Sequence, residues 1–151
     1  MKEHMALNRF THFWLPVISW MGLIFWMSTE TFSAENTSLI IGPVLLFLVP
    51  GISSQDQNMI HGLIRKSAHV TEYFVLGLLL FRAFRGGSKE SRTLRWSLSS
   101  VLVVLLYAAS DEFHQSFVPT RTASLIDVGI DTMGGIIAQA VSVLWQHRTR
   151  K

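Results

Sequence analysis

Three short stretches of this sequence bring together side chains that can bind an anion or move a proton. Arg65, Lys66, His69, Glu72 and Tyr73 form the first. Asp111, Glu112, His114 and Gln115 form the second. Arg121, Asp127 and Asp131 form the third. Several chemistries suit these residue types. Lys66 and Arg121 suit a phosphate, the guanidinium in a bidentate fashion. His69 with Glu72, or His114 with Asp111, makes a proton-transfer pair, because a carboxylate orients an imidazole and raises its basicity. Asp111, Glu112, His69 and His114 are also donor types for a divalent metal, although no established ligand spacing such as His-Glu-x-x-His is present.

The first and third stretches also have a purely structural reading. Arg65 and Lys66 suit anchors at lipid headgroups. His69 and Glu72 suit a local i,i+3 pair. Asp127 suits the positive N-terminal end of a helix, with Ser124 as its N-cap. Asp131 lies one turn deeper and is harder to explain in this way.

The elements that must position these residues are apolar. Hydrophobic residues make up 49% of the 151 positions and charged residues only 15%. Soluble domains carry about 25% charged residues. An integral membrane protein is therefore expected, and the composition argues against both a soluble enzyme and a disordered chain. The absence of cysteine excludes disulfides and thiolate chemistry. The net charge of +3 would hint at nucleic acid in a soluble protein, but here the basic residues flank apolar runs, so topology explains them and no nucleic-acid partner is expected.

Five apolar runs are visible, at about 13–28, 39–52, 67–84, 94–110 and 124–145. Lys2 and Arg9 precede the first as they would a signal peptide, but no small-x-small cleavage site follows in position, so a retained span is expected. The second run is short and is interrupted by Gly42, Pro43, Pro50 and Gly51, which reads as re-entrant or interfacial. His61 falls in the loop before the third run. Trp96 and Trp145 suit interfacial anchors.

Basic residues orient the runs. Lys2, Arg9, Arg82, Arg85, Lys89, Arg92, Arg95, Arg148, Arg150 and Lys151 fall on one side of four spans, and Arg65, Lys66 and Arg121 on the other. The positive-inside rule then places both termini in the cytoplasm. Five spans would break this parity. The expected fold is an all-α, four-helix transmembrane bundle in one domain covering 1–151, with a short re-entrant segment. In that arrangement the three polar stretches converge at the outer face. Asp127 and Asp131 stack on one helical face, continued by the small residues Gly134, Ala138 and Ser142, so both carboxylates should face the bundle. A carboxylate at membrane depth costs at least about 2.5–3.5 kcal/mol on insertion scales, which makes it a functional candidate.

The three stretches also resemble a known family. Arg65-Lys66-Ser-Ala-His69-Val-Thr-Glu72-Tyr73 is similar to the first signature of VanZ-like proteins, residues 110–121 to the second, and residues 125–134 to the third. The resemblance covers about 60–140. It implies a bacterial cell-envelope membrane protein from a family named for low-level resistance to the glycopeptide teicoplanin. It also carries Lys66, His69, Glu72, Tyr73, Asp111, Glu112, Gln115, Arg121, Asp127 and Asp131 over as motif positions. Two functions fit an outer-face site of this kind. One is a transferase or hydrolase acting on a lipid phosphate or a lipid-linked cell-wall intermediate, with His69, Glu72, Asp111, Glu112, Asp127 and Asp131 as catalytic candidates. Arg65, Lys66, Tyr73, His114, Gln115 and Arg121 would then bind the substrate. The other is a non-catalytic protein that binds lipid or shields the surface.

Overall fold

The computed structural model describes residues 2–88, 93–121 and 123–149. Four of the basic residues used for orientation (Lys89, Arg92, Arg150 and Lys151) lie outside the described residues. Five α-helices and one 3-10 turn make up the described chain, without strands. They are α1 (Lys2–Met27), the turn Glu30–Phe32, α2 (Ala34–Leu48), α3 (Ser54–Arg85), α4 (Thr93–Gln115) and α5 (Leu125–Thr149).

Four of the helices pack as an antiparallel bundle: α1, α3, α4 and α5. Cross-links at the two ends set their directions. At one end Arg9 of α1 donates to the Gly86 carbonyl that follows α3, and Thr93 of α4 donates to Gln146 of α5 at 2.8 Å. At the other end Ser28, after α1, accepts a long hydrogen bond of 3.5 Å from Gln115 of α4. The start of α1 and the finish of α5 therefore share one end. That end carries Arg9, Arg82, Arg85, Arg95 and Arg148 and is called the basic end below.

Close packing between α3 and α5 depends on glycine. A Cβ at Gly134 would lie 2.5 Å from the Val70 carbonyl oxygen, and one at Gly77 would lie 2.8 Å from the Ala138 Cβ. The small stripe expected on α5 is indeed buried: Gly134, Ala138 and Ser142 all face the bundle. Asp131 shares that face with no exposure at all, while Asp127 is half-buried.

Two expectations about helix limits need correction. The third run was expected to begin near residue 67, but α3 starts at Ser54, capped by the Ser53 hydroxyl, which accepts the Asp56 amide. Residues 54–66 are too polar to show as an apolar run, yet they are helical. Arg65, Lys66, His69 and Glu72 thus sit mid-helix rather than at a helix start. His61 is likewise in α3 and not in a loop, and its Nε2 lies 2.9 Å from the Thr37 hydroxyl of α2. The second run is also helical through Pro43, because α2 ends only at Leu48, before the turn in which Gly51 adopts φ 87°. A positive φ of this size favours glycine.

Helix α2 runs back along the first half of α3, so the pair forms a hairpin. The chain leaves α1 and enters the bundle portion of α3 at the same end.

Length and composition mark four stretches as able to cross a membrane: Arg9–Met27, Glu30–Leu48, Thr93–Gln115 and Leu125–Arg148. These are not the four bundle helices. The longest helix, α3, is absent from that set because its polar residues dilute it, whereas α2 is included although it packs mainly on the 3-10 turn and the start of α3. The reason is positional. In its bundle half α3 touches α1, α4 and α5 and buries Tyr73, Leu76, Gly77 and Leu80, so the polar His69 and Glu72 meet neighbouring helices there. The protein is a multi-pass membrane protein. Trp96, expected as an interfacial anchor, is instead 8% exposed and packs edge-on against Phe81. Trp145 is 70% exposed.

Candidate functional site

The end of the bundle opposite the basic end gathers the three polar stretches. At its centre, His69 of α3 places Nδ1 3.2 Å from Oδ1 of Asp131 on α5. The two are close enough for an ion contact, but the ring nitrogen is angled away from hydrogen-bond geometry. His69 is therefore paired across helices and not with its local neighbour Glu72. The charges of Glu72 and Asp111 still act on it. Glu72 is held by its backbone, where the Trp20 indole of α1 donates to the Glu72 carbonyl at 2.9 Å.

Two cavities flank His69. The first, about 240 Å³, is polar and lined by Arg65, Lys66, His69, Thr120 and Asp127, with Ala34, Gly62 and Ile130. The second, about 140 Å³, is mainly apolar and lies beneath α2. Its walls include Phe32, Ile41 and Ile64, together with Arg65, His69, Glu72 and Arg121. Arg65 and His69 belong to both walls. Lys66 and Arg121, paired as phosphate ligands on sequence grounds, face different cavities, and Arg65 bridges them.

Other candidates are already engaged. One Arg121 nitrogen, Nη2, donates to the carbonyls of Met27 at 2.7 Å and Thr29 at 3.2 Å. It thereby closes the C-terminal end of α1, where a cation is favoured. Its Nε is buried without a partner. Burial, and next the neighbouring Arg65, pull the Arg121 guanidinium below its ordinary pKa. Two cations thus converge on one cavity wall, a feature that favours an anion there.

Glu112 Oε2 accepts the Ser124 amide at 2.7 Å, and the Ser124 hydroxyl accepts from Ile126 at 3.1 Å. Glu112 and Ser124 together cap α5, as expected of Ser124. Asp111 is 3% exposed and accepts from Gln115 at 3.0 Å rather than pairing with His114. His114 packs its ring 4.4 Å from Phe25 and lines neither cavity. Tyr73 lies in the core beside Tyr107, and its hydroxyl is buried without a partner.

Among the described residues no three His, Asp or Glu side chains are arranged to hold a metal. Asp111 and His114 are turned to different neighbours and Glu112 is committed to a helix cap, so the metal set considered from sequence does not assemble.

Three participants were missed in the sequence. Ser28, 4% exposed, sits near Gln115. Thr120 lines the polar cavity, and Thr37 ties α2 to α3. Isolated hydroxyls give no periodic or charge signal, so only packing reveals them.

A family model described as VanZ/LLP1 matches residues 13–146. The chain belongs to the VanZ/LLP1 family. The match spans nearly the whole chain, including the second half of α1 and the α2 hairpin, well beyond the motif region at 60–140. Neither the curated proteins nor the solved structures contain a significant match.

Proposed function

We propose that this VanZ-family protein recognises the phosphate-bearing head of a lipid or lipid-linked cell-wall intermediate at the outer face of the bacterial cytoplasmic membrane. The observation that carries the reading is the shared wall. Arg65 and His69 separate a polar cavity from a mainly apolar one, which matches a ligand with a charged head and an apolar tail. Arg65 and Lys66 meet the phosphate, and the apolar walls under α2 receive the first part of the tail. His69, backed by Asp131, is the group to accept or donate a proton if the bound head undergoes phosphoryl or glycosyl transfer. The basic end faces the cytoplasm by the positive-inside rule, with both termini there.

The hairpin fits the same placement. α3 has 32 residues and is about 48 Å long, against a hydrocarbon thickness of about 30 Å. Its first third stands beyond the bundle with α2, whose Leu39, Ile40, Phe47 and Leu48 are 66–85% exposed. That apolar surface belongs in lipid, so the hairpin lies re-entrant or interfacial at the outer leaflet.

A non-catalytic form of the reading has its own support. Glu112 and Arg121 are both spent on helix ends and Asp111 is engaged by Gln115, which leaves His69–Asp131, Glu72 and Asp127 as the acid–base groups. Holding such lipids without converting them would also lower access of a lipophilic glycopeptide to its target.

One experiment tests both forms. Purified protein in nanodiscs is titrated with a panel of lipid phosphates and assayed for product. Saturable binding that Lys66→Ala weakens about tenfold supports recognition. Product formation lost in Asp131→Asn adds catalysis. A folded protein that binds none of the panel overturns the proposal.

A further inference from the structure

A cavity larger than the two at the polar end lies elsewhere in the molecule. It is a furrow of about 620 Å³ at the basic end, within the usual size of a ligand pocket. α1 and α5 both pack on α3 but not substantially on each other, so α3 floors a gap between them. Phe13 of α1, Phe81 of α3, and Val141 and Trp145 of α5 make its walls apolar, and Arg82 and Arg85 of α3 stand at its mouth.

The two arginines differ. Arg82 is fixed, because its Nη2 reaches the His12 ring at 3.0 Å and the His12 carbonyl at 3.3 Å, and its guanidinium lies 5.4 Å from the Phe13 ring centre. The Arg85 guanidinium is exposed and makes no hydrogen bond or ion pair within the described residues. One cation is therefore held in place and the other is open to an anion.

We propose that this furrow binds one anionic phospholipid of the leaflet at the basic end, with the phosphate at Arg85 and Arg82 and one acyl chain along the α1–α5 gap. A guanidinium fork matches a phosphate. A second transmembrane helix suits the furrow less well. Helix partners in membranes approach across small residues, and the helical walls here are mainly large (Phe13, Leu78, Phe81, Val141 and Trp145), with Ser142 the one small side chain among them. The site is separate from the His69 region, which faces the opposite leaflet.

Native mass spectrometry of the detergent-purified protein tests the proposal, with phosphatidylglycerol compared against phosphatidylcholine. One phosphatidylglycerol should be retained at least about tenfold better, the gain expected of a charge-assisted contact. Glycerol phosphate, which lacks tails, should not displace it. Arg85→Glu should remove the preference. Val141→Trp, which fills the furrow without changing charge, should remove the bound lipid while the Lys66-dependent binding at the other end persists. Equal retention of the two lipids overturns the proposal. So does displacement by glycerol phosphate, or a Val141→Trp variant that changes the oligomeric state and leaves the lipid count intact.

Discussion

The two ends of the bundle use their charges in opposite ways. At the basic end Arg9, Arg82, Arg85, Arg95 and Arg148 are exposed, and the role proposed for them in topology needs only their sign and side. At the other end Asp111, Glu112 and Asp131 are 0–5% exposed, and each touches a defined partner: Gln115, the Ser124 amide and His69. A buried charge must be paired or hydrogen-bonded, whereas an exposed one need not be. Replacing a residue at the first end should disturb orientation, and replacing one at the second should disturb the fold, the site or both.

Asp131→Ala should have the largest effect. It leaves the His69 Nδ1 buried without its carboxylate, and removing one member of a buried pair costs about 3–5 kcal/mol. Unfolding measured in lipid or mild detergent reads the loss. Asp131→Asn keeps the volume and sharpens the comparison. Stability close to that of the parent with lost ligand binding marks a functional carboxylate, whereas parallel loss of both marks a structural one.

Arg121→Met should come next. The hydrogen bonds to the Met27 and Thr29 carbonyls disappear, and a charged hydrogen bond is worth about 1.5–3 kcal/mol. Local opening of the α1 C-terminus, read by amide exchange at 28–33, should accompany it. An unchanged exchange pattern there would remove Arg121 from the structural group and return it to ligand binding alone.

The smallest effect belongs to the basic end. Arg95→Gln should leave the unfolding midpoint where it is, because Arg95 is exposed. Reporter fusions at the C-terminus should show any change in orientation. A large loss of stability from this substitution would erase the distinction between the two ends.

Much of the architecture was legible because charge and apolar content are sorted along the chain. The helical class, the bundle pattern and the inward face of Asp131 follow from run lengths and from the four-residue spacing to Gly134, Ala138 and Ser142. Two helix limits were not legible. Residues 54–66 carry no apolar run, yet α3 extends through them because Ser53 caps it and α2 lies against it. Pro43 looks like a break, but α2 continues past it. Hydropathy reads only solvent preference and does not record helix continuity under tertiary support.

The candidate site divides in the same way. Its twelve residues were named from sequence because their types are rare in apolar surroundings, and rarity is a local property. Which of them meet is not local. His69 chooses Asp131 over Glu72, Glu112 and Arg121 close helix ends, Tyr73 enters the core, and Arg65 becomes the wall between two cavities. These assignments depend on how deeply α3 and α5 approach each other, which is set by glycine contacts between helices far apart in sequence. By itself the sequence determined a multi-pass helical protein of the VanZ/LLP1 family with a convergent polar end. Only the tertiary structure decided which charges are partners, because interhelical distance is a property of packing and not of spacing along the chain.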